Sequence, residues 1–203
     1  MGRIKVQKKN LSVDMTAMCD VTFLLLTFFI MTSTFTPPEP VPIQVPSSTY
    51  KIPVPEKDLL MLTIGGKGKV FIESLGADIK IATLQKMAEQ YQIAFTAEEI
   101  KKFSQMSAFG VPMSNLKQYM SMDDKQRQAS GLNQGIPADS ANNQLSDWIL
   151  QSRKAVAELH TTPMRVSIKA DQNEEYPSIK KIVDILQKQK INKFSLVTIQ
   201  EGS

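Results

Sequence analysis

A long run of apolar side chains near the N-terminus is the clearest pattern in the chain. The run extends from Met15 to Phe35, and among its 21 residues Asp20 is the one acidic or basic side chain. At about 1.5 Å per residue, an α-helix of this length covers roughly the 30 Å of a bilayer's hydrocarbon core. The pattern therefore predicts one membrane-spanning helix, at residues 15–36.

Polar side chains recur along one face of this predicted helix. Three threonines flank Asp20 at helical spacing, one turn before it and seven and fourteen residues after it: Thr16, Thr27 and Thr34. A carboxylate in a membrane helix costs about 2.5 to 3.5 kcal/mol and is normally found where it has a task. Threonines alone would indicate less, because their hydroxyls can bond carbonyls of the preceding turn. Asp20 is therefore the leading candidate functional residue.

The residues around Asp20 resemble a known family. The run SVDMTAMCDV at 12–21, followed by LLLTFF at 24–29, is similar to the membrane segment of the ExbD/TolR family of biopolymer-transport proteins. That family has a threonine four residues before an aspartate that is implicated in proton passage, and Thr16 and Asp20 hold these positions. Ala17 departs from the pattern, since many members have proline there.

The resemblance implies a motor subunit, driven by the proton-motive force, that is not an enzyme. Asp20 would carry the proton, the threonines at 16, 27 and 34 would relay it or pack beside it, and protons rather than a cofactor would couple the system. The implied partners are a second copy of the chain, a pentameric ExbB-like membrane ring, and a TonB-like protein or the cell wall. A membrane-anchored binding or scaffold protein without ion flux is the alternative.

Charges on either side of the predicted helix indicate its orientation. Four basic side chains precede it: Arg3, Lys5, Lys8 and Lys9. The far flank opens with uncharged residues and Glu39, so the positive-inside rule predicts a cytoplasmic segment at 1–14 and places everything after Phe35 outside. The family resemblance implies that the membrane is the inner membrane and that the C-terminal part is periplasmic. A cleaved signal peptide is the rival interpretation, but the run is long, contains Asp20 and lacks a small-x-small cleavage site.

The remaining composition argues against nucleic-acid binding and catalysis. Of the charged residues, 20 basic and 18 acidic ones follow residue 36, a near balance that leaves no basic face for phosphates. The single cysteine, Cys19, excludes an intrachain disulfide and a cysteine-based metal site. His160 is the only histidine, which excludes a histidine-rich zinc site and predicts a surface or helix-end side chain. No GxSxG-type nucleophile motif occurs.

Prolines dominate the segment that follows the predicted helix. Residues 37–58 contain seven of them: Pro37, Pro38, Pro40, Pro42, Pro46, Pro53 and Pro55. This composition predicts an extended, semi-rigid tether between membrane and domain. Because Val41, Ile43 and Val45 alternate with polar residues and prolines, a strand that pairs elsewhere is the second interpretation.

Beyond the tether, the patterns predict an external α+β domain at residues 59–203. Strand-like runs at 60–64 and 70–72 are joined by the glycine-rich segment 65–69, which predicts a hairpin. The C-terminal third predicts a strand, a helix and a returning strand in a right-handed crossover: 165–171, 176–190 and 194–199. This C-terminal segment is similar to the end of the ExbD/TolR external domain. An acidic run at 171–175 lacks the glycine and distal glutamate of a calcium loop.

The middle of the domain, residues about 79–160, predicts a helical insertion that matches the family poorly. Helical spacing predicts three helices: 79–91, around 116–120, and 145–159. Thr96 and Glu99 form a capping-box pattern that opens one more, which Gly110 and Pro112 are expected to close. We expect the polar stretch 121–140 to be a loop.

Overall fold

The structure, a computed structural model, describes residues 15–32, 58–140, 142–171 and 173–197. The chain divides into two compact units, residues 1–37 and 38–203. In the first unit the described part is one helix, α1 (Met15–Thr32). In the second, the elements in chain order are β1 (Leu59–Gly65), β2 (Lys69–Ser74), α2 (Ala77–Tyr91), α3 (Ala97–Gln105), α4 (Met113–Ser121), α5 (Asp124–Ala129), α6 (Gln144–His160), β3 (Arg165–Ala170), α7 (Tyr176–Lys188) and β4 (Phe194–Val197). The predicted α+β class is confirmed.

The four described strands form one mixed sheet in the order β2-β1-β3-β4. β1 pairs antiparallel with β2 and parallel with β3, and β3 pairs parallel with β4. Leu62 in β1 lies opposite Ile72 and Ile168 of the two neighbouring strands, and all three side chains are buried. The predicted strand–helix–strand unit is present as β3, α7 and β4, while its right-handed crossover stays a prediction.

The predicted hairpin is confirmed, and its turn has an unforeseen partner. Gly66 and Gly68 adopt positive φ angles of 64° and 81°, as the glycine-rich sequence requires. Lys67 between them also has a positive φ, of 69°. The Glu174 carboxylate accepts hydrogen bonds from the Lys67 and Gly68 backbone amides at 2.8 and 2.9 Å. These bonds connect the turn to the loop that precedes α7.

The helical insertion contributes much of the core. In α6, residues spaced three, four and seven apart turn one face inward: Leu145, Trp148, Ile149 and Val156 are buried. Asn143 caps this helix, since its side chain accepts the Ser146 amide at 3.0 Å. The Trp148 ring lies 6.0 Å from that of Phe103 and 5.1 Å from that of Phe109, between ring centroids. This aromatic cluster joins α3, α6 and the segment between α3 and α4.

The insertion also covers the outer edge of β2. Ile72 and Phe109 exchange backbone hydrogen bonds of 2.9 and 3.0 Å. Further along the same edge, the Ile136 amide donates to the Val70 carbonyl at 2.8 Å. Because an unpaired edge is a template for unwanted strand pairing, this cover protects the sheet on that side.

One helix boundary inside the insertion differs from the prediction. α3 begins at the predicted Thr96–Glu99 capping box but ends at Gln105, ahead of Gly110 and Pro112. The reason is that the backbone of Phe109 is recruited to the edge of β2, which an α-helix could not supply.

The predicted loop at 121–140 is wrong in part, because it contains helix α5. The Asp123 amide donates to the Gln126 side chain at 3.1 Å, and the two residues form a capping box. The helix is only six residues long and contains no large apolar side chain, so it has no hydrophobic periodicity to reveal it. Arg127 connects it to α4 by donating from Nε to the Tyr119 carbonyl at 3.1 Å.

Candidate functional site

Helix α1 is the location of the predicted site. Its 18 residues correspond to a length of about 27 Å. Among the described residues it is the one helix long and apolar enough to cross a membrane. None of its residues is buried, and large side chains such as Phe29 are 66% exposed. Residues 33–36, which include Thr34, lie outside the described residues.

Asp20 lies on this helix with its side chain exposed. At about 100° per residue, Thr16 and Thr27 fall within roughly 40° of it around the helix axis. The structure thus keeps three of the four predicted site residues on one face. No group among the described residues forms a hydrogen bond or ion pair with the Asp20 carboxylate, so any partner must come from outside this part of the chain.

Three threonines of α1, Thr22, Thr27 and Thr32, differ from Asp20, because their hydroxyls donate to backbone carbonyls of the same helix. Thr27 Oγ1 donates to the Leu24 carbonyl at 2.9 Å. Thr22, which the sequence analysis did not single out, donates in the same way to the Met18 carbonyl at 2.8 Å. Such bonds satisfy a hydroxyl in an apolar setting without another molecule. The Thr27 hydroxyl is therefore satisfied within the helix, and its functional role stays a prediction.

A second cluster of titratable groups lies around His160 in the second unit, residues 38–203, which we call the external unit after its predicted location. The ring Nδ1 contacts Asp58, and Nε2 lies 2.9 Å from Oδ2 of Asp78. Asp58 Oδ2 also accepts a hydrogen bond from the Thr162 hydroxyl at 2.8 Å. The three ionisable side chains are partly exposed, at 33% for His160, 18% for Asp58 and 54% for Asp78. They are held together, yet water reaches them.

The two carboxylates shift the protonation equilibrium of this cluster. Hydrogen bonds to Asp58 and then to Asp78 raise the pKa of His160, and desolvation opposes this rise without reversing it. The pKa of Asp78 is lowered, first by the backbone amide of Ile79 and then by His160. Both shifts favour the charged forms, so the cluster is arranged for an imidazolium between two carboxylates.

Sequence reasoning missed this cluster, although it correctly predicted a histidine at a helix end. His160 is the last residue of α6, but its partners are 102 and 82 residues away in the chain. Asp58 immediately precedes β1, and Asp78 lies in the first turn of α2. Such a meeting depends on how β1, α2 and α6 pack, which the local pattern does not contain.

Two acidic side chains of the run 171–175, Asp171 and Glu174, accept hydrogen bonds from backbone amides of the same unit. The Asn173 amide donates to Asp171 Oδ1 at 2.9 Å in a local turn, while Glu174 accepts the hairpin amides. Among the described residues, no group of three histidine, cysteine or acidic side chains is placed to hold a metal ion.

The apolar helix and the mixed sheet together define a class of protein: an α+β domain preceded by one helix able to span a membrane. The chain belongs to the ExbD/TolR family, since the family model for the biopolymer transport protein ExbD/TolR matches residues 7–201. The matched range includes 79–160, where the sequence analysis found little likeness. Comparison with curated proteins and with solved structures finds no match.

Family membership fixes the general function. The chain is an energy-transducing subunit of a biopolymer-transport complex. With α1, membership indicates a single-pass membrane protein.

Proposed function

We propose that this chain couples the proton-motive force to work on an envelope partner, and that Asp20 is the group that takes up and releases the proton. The observation that carries this proposal is the exposed carboxylate on a helix with no other acidic or basic side chain and no buried residue. A carboxylate that only supported packing would be expected to have a partner within its own fold. Asp20 has none among the described residues.

We place α1 in the inner membrane, with residues 1–14 in the cytoplasm. Residues 37–58 then form the tether, and residues 59–203 form the periplasmic domain, with its helical insertion at about 79–160. The basic N-terminal flank and the length of the apolar run support this orientation.

Helix α1 needs protein partners if Asp20 is to carry protons. One helix cannot enclose a proton path, because water and polar groups in a bilayer must be surrounded by protein. We propose that two copies of the chain place their helices inside a pentameric ExbB-like ring, and that the ring presents polar groups to Asp20. The periplasmic domain would then bind a TonB-like protein or the cell wall. Protons are the coupling ion, and no cofactor is required.

The energy released when one proton crosses the membrane potential is similar to the cost of placing the Asp20 carboxylate in the membrane. Moving one elementary charge through 100 mV yields about 2.3 kcal/mol. Placing the carboxylate in the apolar helix costs about 2.5 to 3.5 kcal/mol on insertion scales. Because the two quantities are similar, protonation of Asp20 can change which surroundings α1 prefers, and the helix can rotate or rock against the ring. Thr16, Thr27 and Thr34 would line this path.

The test is the variant Asp20→Asn, which keeps the side-chain volume and removes the titratable group. In cells we expect loss of uptake or envelope integrity that depends on the proton gradient, while expression and co-purification with membrane partners are unchanged. Thr22→Val is the matched control: it changes a hydroxyl of the same helix that lies far from the Asp20 face, and activity should be retained. Thr27→Val should reduce activity less than Asp20→Asn.

Full activity of an assembled Asp20→Asn variant would show that Asp20 is a structural contact. The chain would then fit the second candidate, a membrane-anchored binding or scaffold protein without ion flux. Purification of the chain alone as a monomer in mild detergent would also count against the motor.

A further inference from the structure

One side chain, His160, joins three segments of the external unit. It ends α6, it contacts Asp58 immediately before β1, and it contacts Asp78 in the first turn of α2. Asp58 is also the last residue of the predicted tether. The histidine therefore lies where the chain enters the sheet.

The chemistry of the ring decides which protonation state this geometry suits. A neutral imidazole has one N–H donor and one acceptor nitrogen, whereas a carboxylate only accepts. With a carboxylate on each nitrogen, the neutral ring satisfies one of them and turns a lone pair toward the other. The imidazolium donates to both, through two charge-assisted hydrogen bonds. Both carboxylates therefore receive a hydrogen bond from the ring only when the ring is protonated.

The charges around the ring act in the same direction. Asp58 and Asp78 are the charged side chains that influence His160 among the described residues. The packed helices α2 and α6 also carry Lys86 and Glu158, but these two pair with each other at 2.8 Å. The raised pKa of His160 agrees with the geometry.

Asp58 also controls the direction of the backbone. Its φ of 56° lies in the left-handed region, which aspartate tolerates better than most residues. Its carbonyl accepts the Arg165 amide at 2.9 Å, which ties it to the start of β3. A side chain held by His160 and Thr162 helps to keep this residue in place.

We propose that His160 is a second proton-binding site of this protein, and that its protonation fastens the tether entry at Asp58 to α2 and α6. We name these residues, His160, Asp58 and Asp78, the entry latch. Its stabilising contribution is fully present below the ordinary histidine pKa of about 6.5, and it is lost as the pH rises through the raised pKa of the folded state. On the proposed topology the latch faces the acidic side of the proton gradient, and its chemistry does not involve Asp20.

The first experiment measures the proton directly. The chain has one histidine, so the imidazole resonances of the full-length protein in detergent report His160 without assignment. We expect its pKa to lie above about 6.5 and to fall in both Asp58→Asn and Asp78→Asn. Glu158→Gln is the matched control, a carboxylate on the same helix that is paired with Lys86, and it should cause the smallest shift. A wild-type pKa at or below 6.5, or one unmoved by both asparagine variants, would overturn the proposal.

The second experiment measures the fastening. The Arg165 amide bonds directly to the Asp58 carbonyl, so its hydrogen exchange reports the tether entry. After correction for intrinsic exchange, His160→Gln should lose protection relative to the wild type at pH 5.5 and match it at pH 9. An equal difference at both pH values would contradict a proton-dependent latch. Failure of the proposal in either experiment would leave the proposal for Asp20 intact, since neither experiment measures coupling in cells.

Discussion

Helix α1 and the external unit differ in how far their side chains are buried and paired. The external unit has a buried apolar core, and several of its charged groups have partners within the unit, as in the entry latch and the bonds from Glu174 to the hairpin. In α1 no residue is buried, and the Asp20 carboxylate has no partner among the described residues. The apolar side chains of α1 are therefore left uncovered by the described residues.

This difference separates stability from function. Substitutions in the external core should lower the free energy of unfolding, because they remove contacts that exist within the chain. Substitutions in α1 should leave that free energy unchanged and act on assembly or coupling. The first three predictions test the stability side of this contrast.

The largest effect on stability is expected for Trp148→Ala. The side chain is 1% exposed and packs between Phe103 and Phe109, so its loss should cost about 3 to 5 kcal/mol. The measurement is urea unfolding of the full chain in detergent, monitored by circular dichroism. Phe29→Ala in α1 is the matched control and should leave the unfolding of the external unit unchanged. Equal losses in both variants would break the contrast.

A smaller loss is expected for Gly110→Ala. A methyl group there would meet the ring of Phe71, which is fully buried and cannot move aside freely. Overpacking of this kind costs about 1 to 3 kcal/mol. Gly131→Ala offers a comparison, because nothing lies within 4 Å and only its positive φ of 63° opposes the change. If Gly131→Ala proved the more destabilising of the two in the same urea assay, the close contact at Gly110 would not be real.

The smallest of these effects is expected for Thr96→Ala, which removes the capping box of α3. The Thr96 hydroxyl accepts the Glu99 amide at 3.3 Å, and the Glu99 carboxylate accepts the Thr96 amide at 2.8 Å. Loss of such a cap costs about 1 kcal/mol. Ser104→Ala, which removes an exposed hydroxyl from the last turn of the same helix, should cost less. Thermal unfolding of both variants side by side distinguishes them.

The sequence predicted the elements that a local pattern encodes. The apolar run predicted α1, two strand-like runs joined by glycines predicted the hairpin, and the capping box at Thr96 located the start of α3. The same capping logic applied to Asp123 and Gln126 would have located α5, but without an apolar face the segment looked like a loop. Periodicity detects helices that bury a face, and α5 is too short and polar to do so.

The tertiary contacts were not predictable in the same way. The pairing of Phe109 with the edge of β2 and the meeting of His160 with Asp58 join residues far apart in the chain. Asp20 was identified from sequence because a carboxylate in an apolar run is unusual wherever the run folds. The entry latch was not, since an isolated histidine and two aspartates are common until the fold brings them together.

The most direct test of the central claim is proton flux through the assembled complex. The chain would be purified with its membrane partners, reconstituted into liposomes that contain a pH-sensitive dye, and energised by a potassium diffusion potential. We predict acidification or alkalinisation that follows the imposed potential in the wild type, at least a tenfold lower rate in Asp20→Asn, and a normal rate in Thr22→Val. An unchanged rate in the assembled Asp20→Asn complex would contradict the claim that Asp20 carries the proton.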